Sequence, residues 1–202
     1  MPTKAGTVAE LYPIRTKQRL ETRNRVFEAA VREFRRVGVP AAQVEDIVRR
    51  AGVARGTFYL HFPTKDHVLL EMLRRDQAQV AARLESVLAR PARVFLRTAV
   101  DLLVAEVRRE GPAISREMFT MIGRHATAMQ GEEMALPDVV TRFFRAAQER
   151  GEVRSDLAAE ELTAVFLPGV FGLLLFKSDP PSRGLRATLH HCVDVFVRGV
   201  AP

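Results

Sequence analysis

One short segment of this 202-residue chain, residues 44–62, concentrates side chains that can donate hydrogen bonds in a fixed arrangement. Arg55 lies near the start of a short helical pattern, where a guanidinium can donate two hydrogen bonds to O6 and N7 of a guanine. Thr57 offers a methyl group to a thymine and a hydroxyl to a phosphate, and Tyr59 and His61 add further donors. These residue types predict contacts with base edges and phosphates.

Four further residues extend this candidate surface. Gly56 has no side chain, so the backbone can come close to a groove. Lys65 lies beside the N-terminus of the next predicted helix, whose positive end favours a phosphate. Arg23 and Arg25 open the first predicted helix and are candidate contacts to a sugar-phosphate backbone.

Two short helices joined by a glycine turn would position these donors. Apolar residues predict a helix over 44–51, and Gly52 is suited to end it in a left-handed conformation. Phe58 and Phe62, four residues apart, share one face and are expected to hold the second short helix against a first helix over 22–37. This spacing is typical of a helix-turn-helix, whose second helix enters the major groove of DNA.

The net charge of the chain falls in the same region. Residues 1–75 carry fifteen Lys and Arg against eight Asp and Glu, which accounts for the whole net charge of +7. The remaining residues carry sixteen of each sign. This division favours a basic binding module joined to a neutral domain, although charge alone also fits a solvated surface with no partner.

Composition excludes several other classes of protein. Apolar residues make up 47% and charged residues 27%, which is ordinary for a globular chain. A single cysteine, Cys192, rules out an intramolecular disulfide framework and favours the reducing cytoplasm. The most apolar stretch, residues 162–176, falls short of the roughly 20 residues that span a bilayer. Residues 1–21 lack the apolar region of a signal peptide, and with Pro13 among them they are predicted to form a flexible basic arm.

The apolar residues recur with a helical period almost throughout, so the predicted fold is all-α, with nine helices and no strand. The predicted helices cover about 22–37, 44–51, 55–61, from 64 onwards, 91–110, 112–122, 137–151, 157–177 and 181–200.

Residues 23–73, and above all AGVARGTFYLHFPTKDHVLLEML, strongly resemble the tetracycline-repressor (TetR) family of bacterial transcription regulators. Beyond residue 75 only the helical pattern and a GEVRSD-type turn agree. The chain departs from the family at Ala54 and at residues 40–42, where Ser or Thr often caps the two short helices. Losing such a cap costs on the order of 1 kcal/mol. This weakens a helix end without removing the residues that would read DNA.

The resemblance implies a division into a basic arm over 1–21, a helix-turn-helix DNA-binding domain over 22–70, and a ligand-binding and dimerisation domain over 71–202. It also implies a function. The chain would be a sequence-specific DNA-binding transcriptional regulator, a repressor released from double-stranded operator DNA by an unknown small-molecule effector.

The resemblance further implies that the last two long helices form a homodimer. Both carry more apolar residues than a half-exposed helix requires. The candidate interface residues are Leu162, Phe166, Val170, Leu173, Leu174, Leu189, Val193 and Phe196. The alternative is that both apolar stripes belong to the core of a single chain.

A ligand cavity among the middle helices is implied in the same way. Flexible methionine thioethers can line an adaptable apolar pocket, aromatic rings can wall it, and nearby polar groups can orient a ligand of modest size. The candidate pocket residues are Met118, Phe119, Met121, Arg124, His125, Phe143 and Phe144. The alternative is that the Met and Phe residues are ordinary core.

No catalytic or metal-binding pattern is found in the sequence. The five histidines show no ligand spacing, HExxH is absent, and no cofactor is predicted, so the chain is not expected to be an enzyme. Two other functions stay open. One is an all-α carrier or enzyme whose basic N-terminal domain is incidental, and the other is a DNA binder without sequence preference.

Overall fold

The structure, a computed structural model, describes residues 8–125, 134–177 and 184–202, with side chains described for 15–124, 134–175 and 184–202. Within these ranges it contains nine α-helices and no strand, which confirms the all-α prediction. The helices are α1 (Val8–Val37), α2 (Val44–Ala51), α3 (Arg55–His61), α4 (Lys65–Glu85), α5 (Ala92–Glu110), α6 (Pro112–His125), α7 (Ala135–Glu149), α8 (Ala159–Lys177) and α9 (Leu185–Gly199).

The first helix begins earlier than predicted. The sequence pattern places its start at residue 22, behind a flexible arm, whereas α1 begins at Val8. Pro13 lies in the second turn, so its missing N–H removes one hydrogen bond near the helix end and does not interrupt the helix in its middle. Arg15 and Arg19 are therefore exposed side chains of α1. The predicted arm residues 1–7, Lys4 included, lie outside the described residues.

The described chain divides into two compact units, of which the first ends at Val68 and the second begins at Leu69. In the first unit, α1 packs against α2, and α2 against α3. The centre of its core contains Val26, Phe34, Ile47, Phe58 and Phe62. Because these side chains come from all three helices, their burial fixes the position of each helix.

A buried charge joins α1 to α2. Glu33 is fully buried, and its carboxylate accepts hydrogen bonds from the Arg36 guanidinium and pairs with Arg50 of α2, with Nε 3.3 Å from Oε2. The Arg36 hydrogen bond lowers the pKa of Glu33. The carboxylate is thus ionised and compensated, as burial of a charge requires.

The second unit is built mainly from α5, α7, α8 and α9. Phe95 of α5 and Phe143 of α7 stack with ring centroids 3.8 Å apart and planes inclined by 2°. Phe144 lies edge-on to Phe166 of α8, and Phe196 of α9 completes this aromatic cluster. In the described part of the chain, none of the helices is long and apolar enough to cross a membrane.

Candidate nucleic-acid interface

The turn between α2 and α3 has the geometry that the sequence predicts. Gly52 has φ +65° and ψ +42°, and its N–H donates to the carbonyl of Arg49 at 3.3 Å. The N–H of Val53 donates to the carbonyl of Val48 at 3.1 Å, which satisfies a second carbonyl at the end of α2. Ala54 provides no side-chain cap, so α3 starts with the backbone bond from Thr57 N–H to the Ala54 carbonyl, 2.9 Å long.

Two phenylalanines hold the inner face of α3. Phe58 and Phe62 are buried, with ring centroids 6.2 Å apart. The Phe62 ring lies 6.3 Å from that of Phe27 in α1. This arrangement confirms the predicted contact between α3 and the first helix, and it fixes which side of α3 faces outward.

The outward face of α3 carries Arg55, Gly56 and Tyr59, all exposed, while Thr57 and His61 are half-buried at its margins. Arg55 Nη1 pairs with Glu45 Oε1 at 2.9 Å, and the Arg55 guanidinium carbon lies 5.8 Å from the centre of the Tyr59 ring. Exposed ion pairs contribute little to stability, so Arg55 can exchange Glu45 for another acceptor at small cost.

Gly56 has no neighbour that requires a glycine. A Cβ atom built at this position meets no other atom within 4 Å, and its backbone is not in the left-handed region. The space above Gly56 is therefore open in the free chain. A close approach of another molecule to the backbone at Gly56 stays a prediction.

His61 lies at the end of α3 beside basic residues of α1. Burial lowers its pKa, and the charges of Arg19 and Arg23 lower it further. His61 is therefore neutral at pH 7 and has one N–H to donate. The Arg23 guanidinium carbon lies 4.7 Å from the centre of the Phe62 ring, and Arg25 is exposed on α1. The α1 arginines and the end of α3 thus form one basic surface.

Lys65 has internal partners that the sequence did not indicate. Its Nζ donates to the carbonyl oxygens of Val39, Pro40 and Ala42 at 2.8, 3.1 and 3.2 Å. An ammonium has three N–H groups, and here each has an acceptor. Lys65 therefore links the start of α4 to the segment before α2. A contact between Lys65 and a phosphate stays a prediction, and it would compete with these hydrogen bonds.

Leu60 is a surface residue that the sequence analysis missed. It is 71% exposed between Tyr59 and His61 on the outer side of α3. The helical period offered a signal, because Phe58 and Phe62 face inward and the residue midway between them must face outward. An exposed leucine in a row of donors is suited to contact a thymine methyl group.

A cavity in the second unit contains only part of the predicted pocket. Met118 and Phe119 line it, whereas Arg124 is exposed and Met121 is buried away from it. Phe143 and Phe144 do not line this cavity and are fully buried in the aromatic core, so their role in a pocket stays a prediction. The side chain of His125 lies outside the described residues.

Acidic and amide groups of this cavity were not predicted. Asp76 and Gln77 of α4 and Glu106 and Glu110 of α5 line it together with apolar side chains. Polar residues on long amphipathic helices ordinarily face solvent, so their pattern gave no signal. Among the described residues, no cluster of His, Cys, Asp or Glu is arranged to hold a metal ion.

Six of the predicted dimer residues belong to the core of the single chain. Leu162, Phe166, Val170, Leu174, Leu189 and Val193 are buried within the single chain, and Leu173 and Phe196 pack partly buried against the same core. Because these six have little surface left for a second copy, their part in an interface stays a prediction. In the part of α8 and α9 whose side chains the structure describes, the large exposed apolar residues are Val165, Leu175 and Val195.

Comparison with known proteins agrees with this geometry. Residues 26–72 match the model of bacterial regulatory proteins of the tetR family. The chain is 24% identical over 189 residues to the HTH-type transcriptional regulator UidR of Escherichia coli, covering 83% of this chain and 91% of UidR. It is 46% identical over 57 residues to the HTH-type transcriptional regulator TtgW of Pseudomonas putida, which covers 28% of this chain and 42% of TtgW.

A solved structure is similar over nearly the whole chain. The TetR-family repressor FadR of Thermus thermophilus, in complex with lauroyl-CoA, has a TM-score of 0.76 and 26% sequence identity. The match covers 88% of this chain and 94% of FadR. The helix-turn-helix with its outward donors, the all-helical second unit and these relatives lead to one conclusion: the chain is a DNA-binding transcriptional regulator, and its residues 26–72 belong to the tetR family of bacterial regulatory proteins.

Proposed function

We propose that the chain is a homodimeric repressor that reads a two-fold operator with α3 and leaves it when a small molecule occupies the cavity of the second unit. The observation that carries the proposal is the outward face of α3. It presents Arg55, Gly56, Tyr59 and Leu60, while Phe58 and Phe62 fix its orientation from the opposite side. The place of action is then the bacterial cytoplasm.

A dimer would bring two such faces to one operator. A single helix-turn-helix contacts few base pairs, and dimers place two recognition helices one helical turn of DNA apart. Val165 and Leu175 of α8 and Val195 of α9 are exposed at 66%, 39% and 71% in the single chain. We assign the interface to this outer side of α8 and α9, since apolar groups there gain from burial against a second copy.

The cavity supports regulation by a ligand. Apolar side chains from α4, α5, α6 and α8 line most of it, which suits a small and largely apolar molecule. The similar FadR structure holds lauroyl-CoA. Such a ligand can change DNA binding only through its different affinities for the bound and released conformations.

DNA binding is tested by selecting genomic fragments with the purified chain and measuring the affinity of the best one by fluorescence anisotropy. Replacing Arg55 by Ala should reduce the preference for the selected site over random DNA by about tenfold or more, the equivalent of one good bidentate contact. Arg90→Ala, at an exposed position of the second unit, is the matched control. An unchanged preference in R55A would show that Arg55 does not read a base.

A further inference from the structure

The cavity of the second unit has an apolar wall with an unsatisfied polar group in it. Its volume is about 50 Å³, and Val80, Leu103, Phe119 and Phe171 are among its apolar lining. Gln77 lines the same cavity, is 7% exposed, and its Oε1 atom is buried without a hydrogen-bond partner. A buried acceptor with no donor costs free energy, so this atom favours a ligand that brings an N–H or O–H.

Negative charge is concentrated next to Gln77. One nitrogen of Arg109, Nη2, lies 2.6 Å from Asp76 Oδ1, 2.6 Å from Glu106 Oε2 and 3.0 Å from Glu110 Oε1. Asp76, Glu106 and Glu110 are all among the residues that line the cavity. One guanidinium shared by three carboxylates leaves these four groups with a net charge of −2 when all are ionised.

The protonation of Asp76 reflects this excess of negative charge. Burial, followed by the charge of Glu110, raises the pKa of Asp76 to about 6, in spite of its ion pair with Arg109. The ionised form of Asp76 is therefore unfavourable in the folded chain near neutral pH. A second cation beside it would relieve that cost, whereas an anionic group would add to it.

We infer that this cavity takes a small apolar molecule ending in a protonated amine, whose ammonium group donates to Gln77 Oε1 and pairs with the carboxylates of Asp76 and Glu110. The inference rests on the proposed function, since it names the chemical class of the effector. The apolar wall receives the hydrocarbon part of the ligand. The acceptor and the carboxylates select the charged end, because a carboxylate or phosphate in the same place would meet like charge.

Three probes of equal chain length separate the contributions of apolar contact and charge. Hexylamine, 1-hexanol and hexanoate are titrated into the full-length chain and binding is followed by isothermal calorimetry. Hexylamine should bind about tenfold more tightly than 1-hexanol, which corresponds to one ion pair of moderate strength, and hexanoate should bind most weakly. Hexanol or hexanoate binding as tightly as hexylamine would overturn the inference, and so would a failure of hexylamine to bind at millimolar concentration.

Two variants test the named groups. Gln77→Leu keeps a side chain of similar size and removes the acceptor. The affinity for hexylamine should therefore fall about tenfold, while the affinity for 1-hexanol is unchanged. Gln18→Leu, at an exposed position of α1, is the matched control. Asp76→Asn removes one carboxylate and should also weaken hexylamine selectively, which keeps the test available if Q77L does not fold by circular dichroism. An equal loss for all three probes would indicate a purely steric role for Gln77.

Two further measurements separate this inference from the proposed function. Lauroyl-CoA is titrated in the same way, and tighter binding than hexylamine that Q77L leaves unchanged would overturn the amine assignment. Operator affinity is then measured with and without hexylamine. Amine binding without any change in operator affinity would contradict the proposed regulation and leave the amine site intact. Operator binding with no amine binding would overturn the amine site and leave the proposed DNA-binding function intact.

Discussion

The Nζ atom of Lys65 lies 2.8 Å from the carbonyl oxygen of Val39, 26 residues earlier in the chain, and the carbonyls of Pro40 and Ala42 complete its set of acceptors. Lys65, at the N-terminus of α4, thereby holds the segment between α1 and α2 in place through hydrogen bonds to its backbone. This arrangement makes Lys65 a structural residue of the first unit, whatever else it contacts.

Replacing Lys65 by Met should lower the free energy of unfolding by about 1–3 kcal/mol, because partly buried carbonyls lose a charged donor. Urea denaturation followed by circular dichroism measures the change. Lys17→Met, at an exposed position of α1, should leave stability nearly unaltered. If K65M keeps full stability while the dependence of DNA affinity on salt becomes less steep, the phosphate contact is its main role instead.

Two glycines of the helix-turn-helix should respond in opposite ways to alanine. Gly52 has φ +65°, so Gly52→Ala should destabilise the chain by about 1–2 kcal/mol. Gly56 has an ordinary helical backbone with open space above it, so Gly56→Ala should leave stability unchanged or raise it by about 0.5–1 kcal/mol. In anisotropy titrations G56A should nevertheless bind the operator more weakly, since its methyl group keeps the protein backbone away from the groove of the DNA. Full operator affinity in G56A would contradict the close approach.

Leu60 should contribute to DNA binding and not to folding. Its side chain is largely exposed, so Leu60→Ala should keep the melting temperature while operator affinity falls by about 1 kcal/mol through loss of a thymine contact. Replacing single thymines of the operator by uracil should locate the contact, because L60A loses nothing further when the methyl group it touched is absent. Leu157→Ala, at another exposed leucine, is the control. Equal losses at every uracil position would exclude a specific methyl contact.

The outer side of α8 and α9 should govern association. Val195→Glu places a charge where a second copy is expected to pack, so sedimentation should show a monomer, while the melting transition of the single chain persists. Val94→Glu, at an exposed position of α5, should leave the dimer intact. A V195E variant that still sediments as a dimer would place the interface elsewhere.

Asp76 should make the second unit less stable as the pH rises. A carboxylic acid whose pKa is raised from 3.8 to about 6 on folding contributes stability that is fully present below pH 3.8 and is lost as the pH rises through 6. Asp76→Asn should therefore flatten the change in unfolding free energy between these values, by less than the full linkage effect because the group is partly solvated. Asp156→Asn, at an exposed ion pair with Arg154, serves as comparison. An unaltered pH profile in D76N would contradict the raised pKa.

Local signals in the sequence accounted for the helix-turn-helix and failed in the second unit. Gly52 ends α2 through bonds to residues just before it, and the spacing of four between Phe58 and Phe62 places both on one face of α3, so these roles can be predicted from spacing. In α8 apolar residues occur on all sides, and the pattern therefore could not distinguish Phe166, which is in the core, from the exposed Val165. The place of Gln77 in the cavity depends on residues of α4 and α5 coming together, which spacing along one helix does not reveal.

The early start of α1 has a thermodynamic consequence for DNA binding. A flexible basic arm loses about 1–2 kcal/mol of backbone conformational entropy for each residue that becomes ordered on DNA. Arg15, Lys17 and Arg19 already lie on a helix, so this ordering occurs during folding and not during association. Any contact that these residues make with an operator is then spared this backbone cost, although the long side chains still lose freedom when they bind. If Arg15, Lys17 and Arg19 contact the operator, removing the part of α1 before residue 22 should weaken binding. Removing a disordered tail would weaken binding less, because such a tail also costs backbone entropy when it becomes ordered on DNA.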